Sequence, residues 1–281
     1  MSTGMYCGIS GVKAYQTGID VIGNNIANVN TYGFKASRVT YRDVFYQTLA
    51  SSSKPDATNS IGGANPSQVG YGATAATIDV LNTRAGMATT GNSKDCYING
   101  EGYFVVKDGD GYLYTRVGSF GFDGDGNLVD GNKKLVCGTN GETKPTDAIS
   151  SCEPIKVADY STYKNISIGS DGAITGEKEG KIVTLGYIAL ANVPNPSGLT
   201  QQGGSYYKAE NNVANDTYPI KYYTPGVGET GSLVTSALEA SNTDLATELT
   251  QMIINERGFQ ANTKIITVSD EMMETLVNMK R

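Results

Sequence analysis

Apolar residues return at every seventh position near both ends of the chain. At the N-terminal end the series is Met5, Val12, Ile19 and Ile26, with Tyr15 and Ile22 between them. At the C-terminal end it is Leu238, Leu245, Met252, Phe259, Ile266 and Met273, widened by Leu249, Ile253, Leu276 and Val277. A seven-residue apolar repeat belongs to helices that bury a narrow seam against other helices. The spacing therefore predicts helical arms over residues 1–35 and 238–281, paired like a coiled coil. Their expected assembly seam is Met5, Val12, Ile19, Ile22, Ile26, Leu238, Leu245, Leu249, Met252, Phe259, Ile266 and Met273.

The polar positions of the arms sharpen this reading. Over residues 5–31 the charged residues are Lys13 and Asp20, and the face away from the seam is Ser10, Gln16, Thr17, Asn24, Asn25 and Asn28. A helix face that meets water normally carries charge, so an uncharged polar face points to contact with other protein surfaces. The asparagines up to Asn30, followed by Gly33, tolerate left-handed backbone and mark a helix end with a sharp exit. At the other arm Ser241, Asn242 and Thr243 offer capping oxygens, and Asp244 suits the positive end of a helix dipole. Two such helices packed only on each other leave much of their apolar stripes open. The arms are therefore expected to become solid when neighbouring copies cover them.

Between the arms the period changes. Residues 36–69 show no clear repeat and form a connector; Ser51–Asn65, rich in Ser, Gly, Asn and Asp and followed by Pro66, disfavours regular structure. Residues 70–237 form a β-rich body, with apolar runs such as Ala76–Leu81, Tyr103–Val106, Tyr112–Arg116 and Lys181–Ala191. Asn99-Gly100, Asp108 to Gly111, Asp123 to Gly126 and Asp130-Gly131 supply hairpin turns. The fold class expected is α+β, with the two terminal helices forming one domain around an all-β middle.

Composition narrows the chemistry. The 281 residues carry a net charge of −6 and no Lys/Arg cluster, which argues against a phosphate-backbone partner such as nucleic acid. Histidine is absent, removing the commonest general base and transition-metal ligand together. Cys7, Cys96, Cys137 and Cys152 lack C-x-x-C spacing, so no zinc site is expected; whether Cys137 and Cys152 are bridged is a matter of geometry. The Asp-rich turns fail as calcium loops. Counting from Asp123 puts Leu128 at the required glycine and Lys134 at the bidentate glutamate. No acid/base pair is recognisable, and neither a cofactor nor an enzymatic activity is expected. No secretory signal or membrane-inserting stretch is visible.

The run from Gly11 to Lys35, GVKAYQTGIDVIGNNIANVNTYGFK, resembles the N-terminal motif of bacterial flagellar rod and hook proteins, carried here by Asn24, Asn25, Ile26, Ala27, Asn28, Thr31, Gly33 and Lys35. Leu238 to Asn262 resembles that family's closing motif, and INGEGYFVV, YTRVGSFGFDGDGNLV and NPSG resemble its β domain. Within the family, Tyr41 to Gly72, with DVFYQTL and NPSQVGYG, looks more like the hook protein than the rod proteins, the distal rod being the alternative. The resemblance implies a structural subunit exported unfolded through the flagellar type III apparatus. It implies self-assembly into a helical tube, with the arms around the channel. For a hook, the tube acts as a universal joint outside the cell, transmitting torque. The partners implied are identical copies, rod proteins, the hook cap and the hook–filament junction proteins. A β-rich binding module would explain the hairpins but gives no reason for matched helical stripes at both ends.

Overall fold

The structure is a computed structural model that describes residues 3–55, 62–109, 111–141, 143–149, 152–158, 160–210, 212–215 and 218–279. Its class is α+β, and it divides into two compact units: residues 1–27, 37–81 and 243–281 form the first, residues 28–36 and 82–242 the second.

The first unit contains α1 (Thr3–Ala27), β1 (Ser37–Asp43), β2 (Tyr46–Ala50), β3 (Ser67–Gly70), β4 (Ala73–Val80) and the long helix α2 (Leu245–Met279). β1 pairs antiparallel with β4, from Ser37 opposite Val80 to Asp43 opposite Ala73, and β2 pairs antiparallel with β3. The expectation of an aperiodic connector over 36–69 is thus corrected. Its two ends are strands, and the strand expected to open the body belongs to this unit. The β2–β3 ribbon is solvent-exposed along nearly its whole length, so no buried face imposes an alternating pattern on its sequence. Residues 56–61, inside the stretch expected to be irregular, lie outside the described residues.

The helical arm expected from Leu238 is corrected as well. Leu238 is 4% exposed and lies in the strand Ala237–Glu239, paired opposite Ala88. The helix starts only after Asp244, whose carboxylate accepts hydrogen bonds from the Ala246 amide at 3.1 Å and the Thr247 hydroxyl at 2.6 Å. A side chain that closes the first turn in this way fixes where the helix begins. Leu238 shares the seven-residue spacing because a buried strand position happens to precede the helix by one heptad.

The second unit holds β5 (Met87–Thr89), β6 (Cys96–Asn99), β7 (Tyr103–Asp108) and β8 (Gly111–Thr115). β7 and β8 form a hairpin at the centre of an antiparallel sheet. Beyond β7 come Leu135–Asn140, Lys181–Ile188, Ala173–Lys178 and Lys164–Ile168; beyond β8 come Tyr206–Lys208 and Thr200–Gln201. Phe104 and Val106 enter one core with Phe120, Leu128, Ile174 and Ile188, while Tyr103 and Val105 enter another with Tyr114, Ala189 and Tyr207. A strand buried on both faces reads as an unbroken apolar run, which is why Tyr103–Val106 shows no alternation.

Asp123 and Asp130 each spend a carboxylate oxygen on the backbone of their own turn, whereas Asp108 takes the Lys134 ammonium. Asp130 Oδ1 accepts from the amides of Asn132 and Lys134, both at 2.9 Å, and Gly126 closes its turn onto the Asp123 carbonyl at 3.0 Å with φ +80°. Among the described residues no group of three or more His, Cys, Asp or Glu converges as metal ligands, and no helix is long and apolar enough to cross a membrane. Cys137 and Cys152 are free thiols buried in the same core, and burial pushes each up to about 12.

Candidate functional site

The terminal motifs converge on two structures, a helix pair and a buried clasp. In the pair, α1 turns a line of small residues toward α2: Gly8, Gly11, Ala14 and Gly18 are buried, followed by Ile22 and Asn25. A β-carbon on Gly8 would stand 2.9 Å from Ile266, and one on Gly11 would stand 2.5 Å from the Asn262 amide. A β-carbon on Gly258 of α2 would stand 2.5 Å from the Tyr15 ring. The helices are antiparallel and too close for side chains at these positions. Across from the glycines α2 presents Glu248, Asn255, Asn262 and Ser269, themselves seven residues apart. Asn255 and Ser269 are buried, and Asn255, Asn262 and Ser269 return their polar groups to carbonyls one turn back on their own helix at 2.8 Å. A small-residue line facing such a polar line gives close packing with satisfied polar groups and little apolar burial.

The expected apolar seam lies between the two helices only in part: Ile266 faces Gly8 and Ile22 is buried, while the other seam residues of the helices are half-buried or exposed. Met5, Val12, Ile19 and Ile26 flank the glycine line and are half-buried, and of these positions only Ile22 is buried on α1. On α2, Met252, Phe259 and Ile266 are half-buried, whereas Leu245, Leu249 and Met273 are exposed. A further apolar line, Ile254, Ile265, Val268, Met272, Leu276 and Met279, is open to solvent. The pairing of Gly8 with Ile266 and Gly18 with Asn255 sets the register, which places Thr3 level with about Asp270. Glu271–Met279 thus extend past α1.

At the end of α1 the motif asparagines take distinct tasks. Asn25 is buried and pairs with Ser37 as a neighbouring strand would. Its Nδ2 donates to the Ser37 carbonyl at 2.8 Å, and its Oδ1 accepts the Ser37 amide at 2.9 Å. Nδ2 also donates to Glu248 Oε1 at 3.1 Å, and burial raises the Glu248 pKa. Asn24 lies on the exposed side, Ile26 is half-buried, and Ala27 ends the helix. Asn28 receives the Thr31 amide on its carbonyl at 3.1 Å and the Thr31 hydroxyl on Oδ1 at 3.0 Å, closing the turn. Gly33 then adopts φ +67°, and a β-carbon there would meet the Val117 side chain at 2.7 Å. Its amide donates to the Glu239 carbonyl at 2.8 Å.

Lys35 completes the clasp. It is 1% exposed, with Nζ 2.5 Å from Glu239 Oε1 and donating to the Thr83 carbonyl at 2.8 Å. Glu239, fully buried, also receives the Ala85 amide at 3.1 Å and faces Arg116 at 3.7 Å. Arg116 lies over the Tyr103 ring and donates to the Gly100 carbonyl at 3.0 Å. Burial lowers the Lys35 pKa while Glu239 opposes that shift. Asn242 ties the same strands: Oδ1 accepts the Ala36 amide at 2.7 Å and Nδ2 donates to Thr83 Oγ1 at 3.1 Å. The segment after α1, the segment before β5 and the strand before α2 are thereby fixed to one another within the second unit. Lys35 and Gly33 were singled out by the motif, whereas Glu239, Arg116 and Asn242 carried no local signal as their partners.

Comparison with known proteins covers both structures. The chain matches the families described as flagella basal body rod protein over residues 5–35 and flagellar hook protein FlgE/F/G D1 domain over residues 97–176. It matches flagellar basal body rod FlgEFG protein C-terminal over residues 234–279. It is 44% identical to the flagellar basal-body rod protein FlgG of Bacillus subtilis over 284 residues, covering 100% of both chains. It is 35% identical to the FlgG of Buchnera aphidicola from Acyrthosiphon pisum, covering 95% of each. Against the flagellar hook protein FlgE of Borreliella burgdorferi it is 25% identical over 447 aligned positions, covering 100% of each.

Proposed function

The chain belongs to the flagellar rod and hook protein family, and we propose that it is a structural subunit of the distal rod, polymerising with its own copies into a helical tube of the flagellum. The observation that carries this reading is the end-to-end likeness to a rod protein at 44% identity, with the two chains matched over 284 positions. The hook relative needs 447 positions to cover the chain's 281 residues, so it carries long segments without counterpart here. That outweighs the hook-like character of Tyr41–Gly72.

The physics of the first unit supports polymerisation. α1 and α2 meet through glycines and amides, while Leu245, Leu249, Ile253, Met272, Leu276 and Val277 stay exposed. Burying a side chain of this kind is worth about 1.5–3 kcal/mol, so an assembly that covers the stripes gains what the isolated chain lacks. The clasp suits a mechanical part: a buried ion pair whose Glu239 Oε1 is also held by the Ala85 amide and whose Lys35 also reaches the Thr83 carbonyl holds a fixed geometry. The role is structural, and its neighbours are further copies and the adjoining flagellar axial proteins, reached by export through the flagellar apparatus.

The test is to concentrate and seed the purified chain and to image the product by electron microscopy. A straight tube supports the rod, a curved tube the hook reading, and absence of any tube at all rejects both.

A further inference from the structure

Around and past the level of Thr3, α2 carries a shallow groove lined by Val268, Glu271, Met272, Thr275 and Leu276. Val268, Glu271, Met272 and Thr275 stand at i, i+3, i+4 and i+7, the four corners that make a hole for one side chain of another helix. Met272 is 57% exposed, and among the described residues no side chain from another element lines the groove. At the other end of the same helix Ile253 projects at 58% exposure, with Arg257 one turn further on. We propose that copies of this chain engage through these two features, Ile253 of one copy seating in the Val268–Glu271–Met272–Thr275 hole of the next and Arg257 facing Glu271. The inference rests on the reading of the chain as a self-assembling subunit.

Charge selects this pairing over the simpler one. The groove end carries Asp270, Glu271 and Glu274, so two such ends laid together oppose like charges, whereas the Ile253 face sets Arg257 and, two turns beyond, Lys264 against the one carboxylate of Glu256. Hole and knob lie on different parts of one helix, so copies can join head to tail, and a heterologous contact of this kind grows into an open filament where its rotation does not close a ring. From Ile253 to the middle of the hole is some eighteen residues, which staggers contacting copies by about 28 Å along the helix.

The experiment uses the full chain with Cys7→Ser as background. Arg257→Glu and Glu271→Arg are made singly and together, and Ile253→Cys with Met272→Cys is made for oxidative cross-linking. The helix content of every soluble variant is checked by circular dichroism. The expected result is seeded growth slowed about tenfold or more by each single reversal, restored by the pair, and a ladder of cross-linked species in polymer but not in monomer. Normal growth of both single variants without a ladder overturns the inference and leaves the rod reading standing. Failure of the unsubstituted chain to grow overturns the reading, and the inference with it.

Discussion

Lys35 shows how a single residue ties the ends of the chain together. Its ammonium sits against Glu239, 204 positions later in the sequence, in a site with almost no access to water. Removing one member of a buried pair leaves the other charge without compensation, which costs about 3–5 kcal/mol. Lys35→Met is therefore expected to lower unfolding stability by about that amount in urea titrations of the monomer. A loss within experimental scatter would show that Arg116 alone satisfies Glu239. The motif made Lys35 and Gly33 legible as special, and Gly33 is so for a local reason, its positive φ beside Val117. Glu239 was not legible as the partner because no short-range pattern links two residues so far apart, and its strand resembles the start of the helix that follows.

For the elements, the sequence carries the period of the helices better than its phase. Two series run seven residues apart on α2, the apolar one from Leu245 and the polar one from Glu248, and both predict the same helix. Which of them faces α1 depends on the glycines of α1, whose lack of side chains admits the asparagines and leaves the apolar series, Ile266 apart, at the flank. The start of α2 was legible only to within a few residues, since Ser241, Asn242, Thr243 and Asp244 all offer capping oxygens and Asn242 is spent on Ala36 and Thr83. Asp244 performs the capping, and its hydrogen bonds from Thr247 and then Ala246 hold its carboxyl below the usual carboxylate range. A depressed folded pKa contributes stability above the unfolded value, near pH 4, and that contribution is lost as pH falls through the folded value. Hence the unsubstituted chain is expected to exceed Asp244→Ala in helix stability at neutral pH, with the gap closing as acid is added below about pH 4. Thermal melts followed at 222 nm across that range check it, and a gap independent of pH would remove Asp244 as the ionised cap.

At the scale of the molecule, the two units differ in how much of their stability lies within one chain. The second unit buries Phe104, Val105, Val106, Ile188 and Leu190 completely, in a sheet whose central strand is covered on both faces. The first unit has few buried apolar side chains, and the last turns of α2 expose Met272, Met273, Leu276, Val277 and Met279 together. Local opening free energies follow local burial and shielding of backbone hydrogen bonds. Amide exchange in the dilute monomer is accordingly expected to be slow over Tyr103–Val106 and fast over Glu271–Met279. In the assembled polymer the helical stretch should become protected while the β7 strand changes little. Covering those five side chains is worth roughly 7–15 kcal/mol if burial is complete, ample to turn a fraying helix end into an ordered wall. Protection of Glu271–Met279 that is already strong in a verified monomer would mean that the terminal helices are solid without neighbours, and that covering their apolar stripes does not drive polymerisation.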